Sequence, residues 1–310
     1  MKNIQADIKS GNFKQVYLLY GEEAYLKQQY KQNLVKALNP DGDTMNFNHY
    51  EGKGIDVKQL IDLCETMPFF AERRVVLLED TGFFKNKCEE LADYMKELPD
   101  YLYLVFAETE VDKRNRMYKA VKACGSIAEF IRQDEKTLMR WAAGILGKAG
   151  KKITQRDMEL LLTKTGTDMG NLRMEMEKLI SYTEGRDVVT AEDIEEICTT
   201  QTTNRIFDMV RAVTEKNQKR ALELYYDLLT LKEPPMRILF LLAKQYRQLL
   251  LAKQFAAAGL AQTEIASKLG VPGFVVRNIT TCARAYTISE LEQAVKAQQY
   301  LEIEYQKLKN

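Results

Sequence analysis

Histidine and tryptophan are almost missing from this chain, with one of each in 310 residues. A single histidine, His49, leaves no Ser-His-Asp triad with a spare imidazole and no multi-histidine metal site. Its strand-like setting, MNFNHYEG, suits a structural role. The five cysteines (Cys64, Cys88, Cys124, Cys198 and Cys282) are scattered, odd in number and free of any C-x-x-C pair. That argues against a disulfide framework or a zinc ribbon and fits a reducing compartment. An excess of one charge is missing too: 45 Lys and Arg stand against 44 Asp and Glu, for a net charge of +1. No global field steers such a chain onto nucleic acid or an anionic membrane, so any DNA contact must be local or shared with partners. The opening MKNIQADIKSGN lacks the apolar core of a signal peptide. ILFLLA at 238–243 is the longest membrane-like run, far below the ~18 residues that a span needs. These absences lead us to expect a cytoplasmic protein with no membrane partner.

What is present is an ordinary globular composition, 45% apolar and 29% charged. Short apolar runs at 16–20, 45–50, 74–79, 102–107 and 126–131 alternate with helical patterns at about 22–38, 57–66, 87–97 and 113–124. Strands and helices in that alternation predict parallel βαβ units, hence a doubly wound sheet with helices on both faces. After Phe130 the strand signal stops. Helical periodicity occupies 134–149, 154–165 and 169–182, broken at Gly150 and Gly166, and Thr190 to Asp193 reads as a capping box. Further helices are expected at 204–216, 218–231, 235–258, 262–269, 273–285 and 288–308, with Pro234-Pro235 as a break. The order is α/β, then α, then α.

Several stretches imitate nucleotide chemistry and lack its parts. In VYLLYGEEAYLKQQY, at 16–30, an apolar strand runs into Gly21 and a helix, as in a phosphate loop. The motif G-x-x-x-x-G-K-[ST] needs a second glycine for close backbone approach, a lysine for the outer phosphates and a hydroxyl for magnesium. Here Gly21 is followed by Glu22 and Glu23, whose carboxylates suit the positive end of the helix dipole and repel a polyphosphate. Lys27 is followed by Gln28. The run Val75 to Asp80 imitates a Walker B strand, but with no phosphate loop nothing presents a metal–phosphate complex to Glu79 and Asp80. Arg173 stands where a nucleotide-sensing arginine would, and an i,i+4 pair with Glu177 is the simpler expectation. No catalytic residue, cofactor site or metal site is expected.

Two stretches suggest contacts with macromolecules. Residues Glu264 to Pro272, followed by Val275-Val276-Arg277, resemble a helix-turn-helix with Gly270 in the turn. Its second helix, GFVVRNITTCARAY, is mostly apolar and offers only Arg277, Asn278 and Arg284 to base edges, so burial in a bundle suits it better. Met67-Pro68-Phe69-Phe70-Ala71-Glu72-Arg73-Arg74 lies between a helix and a strand. Pro68 blocks helix continuation, and two adjacent phenylalanines on so short a connection do not easily both point inward. Either one ring caps the sheet core and the other lies outside, or the pair is an apolar plug for a partner's pocket.

Together these stretches resemble the δ subunits of the bacterial DNA polymerase III clamp loader. The resemblance runs nearly the whole chain, through VYLLYGEEAYL at 16–26, PFFAERRVVLLE at 68–79, Asp112-Lys113-Arg114 and GNLRMEMEKLISY at 170–182. It implies an AAA+-like α/β domain at 1–136 with a degenerate phosphate loop, a helical lid domain at 137–203 and a helical collar domain at 204–310. It implies a non-ATP-binding subunit that grips the β sliding clamp and favours its open form. The other partners it implies are the τ/γ and δ′ subunits and, within the complex, primer–template DNA. Polymerase chemistry would belong to the whole holoenzyme and not to this chain. By match to the family motif, Phe69 and Phe70 occupy the positions of the hydrophobic plug; with Met67, Pro68, Arg73 and Arg74 they are the expected clamp-binding residues, the two arginines flanking the plug as candidates to pair with rim acids of the clamp. An ATP-hydrolysing AAA+ protein and a helix-turn-helix regulator are the competing readings.

Overall fold

Five residues, Val16–Tyr20, form the central strand β1, and all five are buried. A strand hydrophobic at every position must be covered on both faces. We describe residues 2–199 and 202–309 from a computed structural model of the chain. It divides into two compact units, Met1–Gln133 and Asp134–Asn310.

In the first unit α1 (Lys2–Ser10) precedes β1, and α2 (Ala24–Leu38), β2 (Phe47–Glu51), α3 (Val57–Glu65) and β3 (Arg74–Glu79) follow. Then come α4 (Glu89–Tyr94), β4 (Leu102–Glu108), α5 (Arg116–Cys124) and β5 (Ser126–Glu129). The five strands form one parallel sheet in the order β2-β3-β4-β1-β5. Alternate strand residues feed two cores, as the two-residue period of a strand requires. Leu18, Val76, Leu78, Leu104 and Phe106 pack with Leu60 of α3, Leu91 of α4 and Val121 of α5. On the opposite face Tyr17, Leu19, Val75, Leu77 and Val105 pack with Ile4 of α1 and Leu34 and Leu38 of α2. The doubly wound sheet is present as expected, and α1 is an addition that the sequence reading did not anticipate.

The second unit begins with α6 (Glu135–Lys148), β6 (Lys152–Ile153), α7 (Gln155–Thr165), α8 (Met169–Tyr182), β7 (Val188–Val189) and α9 (Ala191–Ile197). Its remaining helices are α10 (Thr202–Thr214), α11 (Gln218–Thr230), α12 (Pro235–Ala257), α13 (Gln262–Leu269), α14 (Gly273–Ala283) and α15 (Ile288–Lys309). The Thr190–Asp193 capping box forms as expected and opens α9. One expectation fails: strands do not stop at Phe130, because β6 and β7 pair in parallel as a small second sheet. Two residues per strand are too few to show a period in sequence. Leu146, Leu161, Leu162, Leu172 and Leu179 centre one core of this unit. Val210, Leu249, Ile265, Val276 and Ile279 centre another, and Leu224, Leu228 and Ile238 a third.

Candidate functional site

The turn after β1 is filled by the chain itself. Gly21 has φ +123°, and a Cβ there would lie 2.3 Å from the carbonyl oxygen of Phe130. That oxygen accepts the Glu23 amide at 3.0 Å, while the Phe130 amide donates to the Tyr20 carbonyl at 2.7 Å. A phosphate loop keeps such amides free for its ligand; here the backbone after β5 takes one of them. Lys27, near the start of α2, donates to the Glu108 carbonyl at 3.0 Å, and partial burial pulls its pKa down.

The acids that imitate Walker B are occupied as well. Glu79 accepts Lys31 Nζ at 2.6 Å on one oxygen and lies 2.9 Å from His49 Nε2 on the other. His49 thus has the structural partner expected of a strand histidine. Asp80 takes the Thr109 amide at 2.8 Å. Glu108 is buried, accepting Thr81 Oγ1 at 2.5 Å and the Thr81 amide at 3.1 Å, and burial pushes its pKa up. In the second unit Arg173 pairs with Glu177 at 2.7 Å, as expected. The helix-turn-helix look-alike is α13 and α14, joined through Gly270 in the left-handed region. Val276 and Ile279 of α14 are fully buried, and Arg277 is paired with Glu159 at 3.2 Å. Among the described residues no group of three or more His, Cys, Asp or Glu side chains could hold a metal ion, and no helix is long and apolar enough to cross a membrane.

The loop between α3 and β3 is different in kind. Asp56 caps the start of α3 by accepting the Lys58 amide, and the helix stops at Glu65 because Pro68 cannot continue it. Beyond it Met67, Phe69 and Phe70 are 74%, 56% and 95% exposed, so neither ring caps the sheet core. The two rings touch edge to face, with centroids 4.5 Å apart. Phe70 has φ +47°. A bulky side chain in the left-handed region is unfavourable, and such strain persists only where the surroundings impose it.

Those surroundings are polar and specific. Asn46, 3% exposed and just ahead of β2, accepts the Phe69 amide at 2.6 Å and donates to the Phe69 carbonyl at 2.8 Å. Its amide nitrogen also donates to Asp43 at 2.5 Å. Bonds from Asn46 and the Met45 amide hold the Asp43 carboxyl below its usual pKa. Arg74 Nε donates to the Thr66 carbonyl at 2.8 Å, Nη2 to the Met67 carbonyl at 3.3 Å and Nη1 to Asn48 Oδ1 at 3.2 Å. The two neighbouring arginines differ in setting. Arg74 is 5% exposed and holds the loop from behind. Arg73 lies over the rings of Phe13 and Tyr103, at 5.2 and 5.4 Å. A buried β3 start desolvates Arg74, and loop carbonyls satisfy it. Asn46 and Asn48 escaped the sequence reading, although asparagine is a poor strand former and its presence there is a weak signal.

Such a chain is a doubly wound parallel-sheet protein whose first strand–helix turn is closed by its own backbone, followed by a mainly helical unit that carries one small parallel sheet among its described residues. The description "DNA polymerase III, delta subunit" matches residues 17–130, and "DNA polymerase III delta subunit, C-terminal domain" matches 203–309. The chain belongs to the DNA polymerase III delta subunit family. It is similar to DNA polymerase III subunit delta of Bacillus subtilis, 26% identical over 95% of this chain and 88% of that one. A probable DNA polymerase III subunit delta of Aquifex aeolicus is 22% identical over 83% of this chain and 75% of that one. The solved DNA clamp loader delta protein of B. subtilis shares the fold, with a TM-score of 0.65 and 24% identity over 98% of this chain and 94% of that one.

Proposed function

We propose that this subunit grips the β sliding clamp through Phe69 and Phe70 and favours the clamp's open form. The observation that carries this reading is the exposed, mutually packed ring pair on a loop held from beneath by Asn46 and Arg74. Aromatic anchors of this sort dominate protein interfaces, and a fixed loop loses little entropy on binding. A plug explains grip alone. To open a ring the subunit must bind the open form better than the closed one, so α3 and the loop press near the clamp's subunit junction while the rings hold its pocket.

The residues divide as an AAA+-like domain, a helical lid at about 137–203 and a collar from 204 that joins the τ/γ and δ′ subunits in the cytoplasm. Contact with primer–template DNA is shared across that assembly. ATP is bound and hydrolysed elsewhere in the complex, a reading supported by the closed Gly21 turn. An equilibrium titration of the isolated chain with ATP should show no saturable binding, and micromolar affinity would defeat this part.

The main test titrates wild-type and Phe69→Ala/Phe70→Ala protein against β clamp, with clamp unloading from circular DNA measured alongside. Burying one phenylalanine contributes roughly 1.5–3 kcal/mol, and truncating a central anchor typically costs at least ~2 kcal/mol. With tenfold in affinity per 1.4 kcal/mol, loss of the pair should weaken binding about thirtyfold or more. Binding and unloading like wild type would show that the plug assignment is wrong.

A further inference from the structure

We propose that Asn46 is the positioning residue of the aromatic loop, a latch that presets Phe69 and Phe70 for the partner. The inference rests on the clamp-binding reading of those two rings.

Asn46, one residue ahead of β2, is tied to the sheet and not to the loop. Its carbonyl accepts the Val75 amide at 2.9 Å, which fixes its backbone beside β3. Its side chain then reaches the loop 23 residues further on, and binds both the amide and the carbonyl of Phe69. A side-chain amide used this way imitates a strand neighbour, offering one donor and one acceptor. Asp43 sets which way the amide points. Because its carboxylate accepts the Nδ2 hydrogen, Oδ1 is left to accept the Phe69 amide. Asp43 is itself tied down, since its amide donates to Asn39 Oδ1 at 2.9 Å and its carbonyl accepts Asn39 Nδ2 at 2.9 Å.

The need for a latch follows from the loop's own energetics. Nothing apolar in the loop is buried enough to hold it: both rings lie in water, and Phe70 sits at φ +47°. Left to itself, a loop of this kind relaxes to extended or right-handed backbone and populates the displayed geometry for only part of the time. Apparent affinity then falls by that fraction. Two hydrogen bonds to Phe69, with Arg74 holding Thr66 and Met67, keep the population high. Asn46 itself is buried, so its effect is transmitted through Phe69.

The test uses the full chain with Asn46→Ala and Asn46→Asp, read by hydrogen exchange over residues 66–73 and by titration against purified β clamp. Asn46→Ala should speed exchange in that segment and weaken clamp binding about tenfold. In the Phe69→Ala/Phe70→Ala background the same change should cost almost nothing more, because there are no rings left to position. Asn46→Asp preserves volume and one acceptor, and carries the test if the alanine variant does not fold. It sets a carboxylate against Asp43 and the Phe69 carbonyl, with the Arg74 guanidinium nearby. Its binding should be poor near neutral pH and recover as the acid pair takes up a proton. Unchanged exchange overturns the latch. Faster exchange with unchanged affinity, or a cost that persists in full without the rings, overturns the positioning role. Wild-type protein that does not bind clamp sinks the clamp reading first, and the exchange result then still decides whether Asn46 holds the loop.

Discussion

Gly21 and Arg74 show how one residue can mean something other than its motif suggests. Gly21 sits where a phosphate loop would begin, yet its lack of a side chain serves the chain's own packing. A methyl group would collide with the Phe130 carbonyl, whose residue is held by hydrogen bonds to Tyr20 and Glu23, and φ +123° is strained for any other residue. Gly21→Ala should therefore destabilise the protein by at least about 2 kcal/mol, read as a lower midpoint in urea. A midpoint like wild type would mean that the turn yields. Arg74 reads in sequence as a surface charge beside the plug, where an exposed pair would be worth only ~0–1 kcal/mol. Its actual bonds go to Thr66, Met67 and Asn48 from a buried position, and a lysine could not reproduce that fork.

At the level of elements, α14 separates burial from recognition. Its apolar side, Val276, Ile279, Cys282 and Ala283, is packed into a helical core. Its outer Arg277 makes an exposed ion pair with Glu159. The two kinds of residue should respond differently. Ile279→Ala leaves a cavity and should cost about 2–5 kcal/mol in denaturant unfolding, while Arg277→Ala should cost less than about 1 kcal/mol. A helix used to read base pairs would reverse the emphasis, with Arg277→Ala relaxing sequence selectivity on duplex DNA. α8 carries the same lesson, because Arg173 is matched one turn away by Glu177.

For the whole molecule, the chain divides into two compact units between Gln133 and Asp134. The chain there is exposed, with Ile131 at 62% and Arg132 on the surface. Exposed backbone between compact units is where proteases cut. Limited trypsin digestion should nick after Arg132 and release the first unit. A fragment of about 1–205 should keep clamp binding and fail to join the assembly, because exposed apolar residues such as Leu222, Tyr226 and Phe240 belong to the missing part. Co-elution of that fragment with δ′ and τ/γ would count against a collar role.

Sequence by itself determined most of the fold, since β1, β3 and β4 carry continuous apolar runs and the long helices repeat their apolar positions often enough to be counted. It also singled out the Phe69-Phe70 pair, because two adjacent rings beside a proline on so short a connection do not easily both point inward; that both lie outside was decided by the structure. It could not reveal α1, whose nine residues look like a polar leader until Ile4 is seen buried against the sheet. Nor could it reveal β6 and β7, two residues each and paired across 36 positions of sequence. Only the tertiary structure decided that Phe130 closes the Gly21 turn, that Arg74 faces inward, and that Asn46 grips Phe69. Each of these is a hydrogen bond or a contact between segments far apart in the chain. Local composition sets which groups want to be buried or paired, and folding alone brings their partners within reach.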